Sequence, residues 1–185
     1  MTIEGAIDAI VLQEFRLRSS ADAAQAARIV ARAAEGRRAT VPLLTSIDDP
    51  CDVAIVTAMH AGDPLEDVGR TTLGPLVASW EVPQRFTPRI TERSSSLPSY
   101  YRLAVTGSGI NNVDPAVAAV DSGDPPDSGS TTELDLLWIG TPVGTHAGLL
   151  VLTGSDEDEG AIRPDPRDWP LPLSSSLGVR IYAGR

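Results

Sequence analysis

The hydrophobic and polar positions of this chain alternate in short bursts, and that rhythm predicts β-strands along most of its length. In the opening segment AIDAIVLQEFRLRS, Gln13, Phe15 and Leu17 alternate with Glu14, Arg16 and Arg18. A period of two is strand periodicity, so a strand is expected over about 8–18, although the same residues could form a helix. SSAD at 19–22 then fits a capping box, with Ser19 as cap and Asp22 returning the bond. Ala23, Ala27, Val30 and Ala34 fall on one helical stripe and Gly36 is a natural stop. One N-terminal helix at about 19–36 is therefore expected, its alanine face packing close against a sheet.

From residue 39 onward the pattern is β. ATVPLLTS and DVAIVTAM are followed by LVASWEV at 76–82, RFTPRITE at 85–92 and YYRLAVTG at 100–107. ELDLLWIG at 133–140, AGLLVLTG at 147–154 and LGVRIYAG at 177–184 complete the set. Gly, Pro, Ser and Asp fill the gaps, as turns require. Eight or so short strands without regular βα alternation predict a mainly β fold, an antiparallel β-sandwich or a barrel-like form, in one domain over 1–185. No internal repeat is visible. DSGDPPDSGST at 121–131 is expected to be an exposed acidic loop, and AIRPDPRDWPLPLSSS at 161–176 a proline-rich extended segment pinned by Trp169 and Leu171.

Composition narrows the chemistry. All 15 basic residues are arginine, which removes the lysine of a phosphate loop and the amine of a Schiff-base or pyridoxal enzyme. The net charge is −10, and residues 101–185 hold five arginines against twelve acids. Such a surface repels phosphates, so direct nucleic-acid binding is not expected. A basic protein partner suits it better, and homo-oligomers stay open. No apolar run is long enough to span a bilayer and MTIEGAID lacks a basic leader region. With the single Cys51, this predicts a cytoplasmic protein that makes no membrane contact and has no internal disulfide.

The motifs give no catalytic centre. ELDLLWIG and AGLLVLTG flank TPVGTH and read as a hairpin, with His146 at a loop end. The acids after it fail the calcium-loop test: from Asp156, glycine comes at the fifth place and Arg167 at the twelfth. Ser122 in VDSGDPP lacks the glycines of an oxyanion hole, and Gly107-Ser108-Gly109 lacks the third glycine of a dinucleotide fingerprint. Asp52 beside Cys51 disfavours a thiolate. Asp63, Glu66 and Asp67 could pair as acid and base, as could many loops, and His60 is the one other histidine. No metal, cofactor or catalytic residue is therefore expected.

LPSYYRLAVTGSG, a polar acidic gap and TTELDLLWIG together resemble a pattern in uncharacterised small acidic bacterial proteins, some labelled nuclease-inhibitor or competence-associated. Tyr101, Arg102, Leu103, Val105, Glu133, Leu136 and Trp138 carry the resemblance, with LVASWEVPQ as the preceding strand, over roughly 51–155. It implies a β-sandwich that binds or inhibits another protein. The expected function is thus a non-enzymatic protein-binding module, an immunity or inhibitor protein masking a basic partner. Asp121, Asp124, Asp127, Asp156, Glu157, Asp158 and Glu159 would steer the partner. The alternatives are a phage-like or injection-particle assembly subunit, and a small-molecule enzyme on a β scaffold.

Overall fold

A computed structural model describes residues 7–35, 41–60, 73–93, 98–105, 136–143, 149–156 and 180–184. Among these described residues are nine strands: β1 (Ile7–Leu17), β2 (Leu44–Ser46), β3 (Asp52–His60), β4 (Val77–Trp80), β5 (Gln84–Arg93), β6 (Tyr100–Val105), β7 (Leu136–Pro142), β8 (Leu150–Ser155) and β9 (Arg180–Gly184). The helix α1 (Ala23–Ala34) follows β1. The hydrogen-bonded order is β3-β2-β9-β6-β8-β7-β5-β1-β4, with β3 also paired to β1. The fold is therefore mainly β and antiparallel, in the barrel-like form of the two architectures left open by the sequence.

The chain divides into two compact units, Met1–Pro88 with Tyr182–Arg185, and Arg89–Ile181. The order β5-β1-β3-β2 runs through the first unit and β9-β6-β8-β7 through the second, a repeated pattern when β4 and β5 are counted as one line; β5 from Arg89 and β9 from Tyr182 belong to the other unit. The repeat lies in the pairing of backbones, where the sequence shows none.

In the first unit β1 is the central strand, paired with β3 from Ile7↔His60 to Phe15↔Val53 and Arg16↔Asp52. Its other side pairs with β4 at Phe15↔Trp80 and with β5 at Leu12↔Gln84. Three steps along β1, from Phe15 back to Leu12, thus oppose four steps from Trp80 to Gln84. β4 and β5 form one line interrupted by an extra residue, a bulge at 81–83 that includes Pro83, which has no N–H to give the ladder. Glu81 N–H still bonds the Glu14 carbonyl at 3.0 Å.

Residues Ala9 to Phe15 are all buried, so β1 is covered on both faces. On one, Phe15 and Leu17 pack with Val53, Ile55, Ala26 and Val30, the last two from α1. Each of the larger side chains among them contributes about 1.5–3 kcal/mol on removal from water. The helix presents Ala26 and Val30 as its buried residues, with Ala23, Ala27 and Ile29 partly buried, so the stripe sits one position from the expected line. Ser19 Oγ accepts from Ala21 N–H at 3.2 Å as expected, but Asp22 makes no side-chain cap bond. A short 3-10 turn at Ser20–Asp22 intervenes and turns the capping box into a single bond. Gly36 lies outside the described residues.

In the second unit β8 pairs with β6 from Tyr100↔Ser155 to Val105↔Leu150, and with β7 from Leu136↔Gly154 to Gly140↔Leu150. The expected hairpin strands are therefore neighbours. Leu103, Leu136, Trp138, Leu150 and Leu152 lie on one face and are almost fully buried. A Cβ on Gly154 would come within 2.5 Å of Pro98 Cγ and 3.2 Å of Leu136 Cβ. Only glycine lets these strands approach so closely.

Candidate functional site

The face of β1 that looks away from α1 carries Ile10, Leu12 and Glu14, in register with Ala58, Val56 and Ala54 of β3. Directly opposed residues share a face in an antiparallel pair. Leu44 opposes Ala54, and Ser46 opposes Tyr182 of β9. Into this apolar surface the sequence sets one carboxylate. Glu14 is 6% exposed and Tyr182 4%, and the Tyr182 hydroxyl donates to Glu14 Oε1. Burying a charge without partners is costly, so the phenol offsets the water that Glu14 loses. A phenol both gives and accepts a proton, so the couple can accept one from a bound molecule and pass it along.

The second unit has a polar group of opposite sign. Arg102 of β6 is 4% exposed and opposes Thr153 of β8, with Ser155 two pairs along on the same face at 0% exposure. Ala104, Val151 and Ile139 share that face by register. Burial pushes the Arg102 pKa below its ordinary value, yet a guanidinium stays charged near neutral pH. β1 thus holds a buried carboxylate, Glu14, and β6 a buried guanidinium, Arg102.

The residues singled out from the sequence are placed differently. Of the seven acids expected to steer a partner, Asp156 alone lies among the described residues. It is exposed, but Oδ1 accepts from Ser99 N–H at 2.8 Å and from the Ser99 hydroxyl at 2.9 Å, which ties together the ends of β6 and β8. Asp121, Asp124, Asp127, Glu157, Asp158 and Glu159 lie outside the described residues. So do His146, Ser122, Gly107–Gly109, Trp169, Leu171 and the Asp63, Glu66, Asp67 cluster, together with the 121–131 and 161–176 segments. His60 ends β3, half-buried and opposite Ile7. Cys51 is half-buried, and its N–H donates to Asp49 Oδ1 at 2.9 Å. Among the described residues no three His, Cys, Asp or Glu side chains gather as a metal site, and no helix is long and apolar enough to cross a membrane.

Glu14, Tyr182, Thr153 and Ser155 were missed as site residues, and Arg102 was noticed only for a strand pattern. The alternation places Glu14 in line with the charged Arg16 and Arg18 and so draws no attention to it. The available signal lay on the other side: Ile10 and Leu12, four and two residues earlier, share its face. A single acid on an otherwise apolar strand stripe marks a buried polar group.

No protein family matches the chain, and no curated protein matches it significantly. Solved structures do. One from Lactobacillus acidophilus NCFM, described as a "putative monooxygenase", superposes with a TM-score of 0.61 at 10% identity, over 95% of this chain and 92% of its own. Another with the same description, from Fusobacterium nucleatum, gives a TM-score of 0.65 at 8% identity, over 96% and 91%. These likenesses define the class by fold. At these identities they show the fold alone, and that fold, shared with structures described as monooxygenases, corrects the expectation of a non-enzymatic binding module, whether an immunity protein or an inhibitor. The physical reason for the miss is that the informative polar groups are inside the strands, whereas the sequence draws attention to acids between them.

Proposed function

We propose that the protein is a small-molecule enzyme in which Glu14 acts as the base and Tyr182 holds and relays its proton. The observation that carries this reading is the buried Glu14–Tyr182 couple on an apolar strand face. The fold shared with two structures described as monooxygenases supports oxygen transfer as the reaction class. The substrate that suits the site is small and largely apolar, with an ionisable O–H or C–H. Glu14 takes that proton and leaves an electron-rich anion. One atom of dioxygen then enters the substrate and the other leaves as water, with two electrons supplied by the substrate or by an added reductant.

The test is oxygen uptake by the full chain on electron-rich phenols and quinols, with and without reduced flavin. Wild type should consume oxygen above background, and Glu14→Gln should lower kcat by about a hundredfold or more, in the range of a lost general base. Tyr182→Phe should shift the pH profile, because the relay is interrupted while the carboxylate stays. Equal rates for wild type and Glu14→Gln reject the assignment, and oxygen uptake at background with every substrate rejects the reaction class.

A further inference from the structure

We propose that Gly184 positions the Tyr182 hydroxyl against Glu14, because its missing side chain lets β9 close onto Leu44 of β2. Thr45 opposes Ala183 and Ser46 opposes Tyr182, so one step along the same register brings Leu44 opposite Gly184. Leu44 in turn opposes Ala54, and Ala54 opposes Glu14. Gly184, Leu44, Ala54 and Glu14 therefore form one row across four strands, and Tyr182, two residues before Gly184, lies on the same face. A Cβ on Gly184 would stand 2.7 Å from Leu44 Cδ2 and 3.0 Å from the Leu43 carbonyl oxygen. Neither neighbour yields cheaply. Leu44 is fully buried, so turning its side chain displaces packed neighbours, and the carbonyl belongs to the backbone of a buried residue. An added methyl must push β9 away, and the phenol with it, or drive Leu44 along the row toward Glu14. Either movement disturbs the Tyr182–Glu14 hydrogen bond, whose strength falls steeply with distance and angle.

The geometry stands apart from the oxygen chemistry, while its use in proton transfer rests on the reading of Glu14 given above. The experiment is proton NMR of the full chain, with the Tyr182 hydroxyl resonance assigned by its loss in Tyr182→Phe. A phenol bonded to a buried carboxylate should give a downfield, slowly exchanging signal. Gly184→Ala should move that signal upfield or lose it to exchange with water. Gly184→Ala combined with Leu44→Val, which takes away Leu44 Cδ2, should bring it back toward the wild-type position. Gly154→Ala, at a close approach in the second unit, is the control: it should lower stability and leave the signal in place. If Gly184→Ala alone does not fold, the double variant carries the test. The proposal is overturned if wild type shows no such signal, if Gly184→Ala leaves it unchanged, or if the double variant does not restore it. A signal that moves as expected while oxygen uptake stays at background would reject the enzyme reading alone.

Discussion

At Glu14 and Tyr182, stability and chemistry draw on the same two side chains. Tyr182→Phe removes the hydroxyl and leaves a buried carboxylate short of one donor. It should destabilise the fold by about 1–3 kcal/mol, read as a lower midpoint in urea unfolding. A surface group behaves differently. Arg16 reaches Asp49 at 2.9 Å and Asp52 at 2.6 Å, with all three side chains substantially exposed. The Cys51 backbone N–H and then the Arg16 side chain hold the Asp49 carboxyl below its ordinary 3.8. A lowered folded pKa means that the unfolded chain binds more protons in this window, so stability rises with pH through it. The Asp49 contribution is full above about 3.8 and is lost as pH falls through the lower folded value. Asp49→Asn should therefore flatten the acid end of a stability–pH profile, and high salt should shrink the difference because the groups are exposed.

Among the elements, the strands were the most legible part of the chain, since nearly every alternating burst became one. The clearest case is the opening segment, where the period of two won over the helical reading and β1 spans Ile7–Leu17. What the alternation could not convey is coverage. A strand buried on both faces still alternates in polarity when one polar side chain is satisfied internally, and Glu14 is such a side chain. Neither the bulge at 81–83 nor the strand order was legible, because both depend on which backbone lies next to which. Gly154 belongs to the same category: it reads as an ordinary strand end, yet Pro98 and Leu136 leave no space for a methyl. Gly154→Ala should cost about 1–3 kcal/mol through overpacking, measured by denaturant unfolding, with the loss eased when Pro98 is shortened to alanine.

For the molecule as a whole, the fold persists where sequence likeness has almost vanished, as the 8–10% identities to its structural neighbours indicate. The constraint that survives is apolar alternation with turns at the right intervals, which many sequences satisfy. The same tolerance explains why the repeated strand order left no trace in the residues, and why β1 and β6 could acquire opposite charges. The candidate site was correspondingly the least legible level, since its members come from β1 and β9, far apart in the chain.

That separation sets a timetable. Ser46 meets Tyr182 across 136 intervening steps of chain (182 − 46), whereas β2 and β3 close over a short turn. Distant closures are slow, because loop entropy must be overcome before the contact gives anything back. The β1–β3 scaffold should thus form early with its acid still wet, and the phenol should arrive last. Stopped-flow refolding followed by tyrosine fluorescence should lag behind amide signals from β1 and β3, and Tyr182→Phe should then speed unfolding while leaving the rate of folding almost untouched.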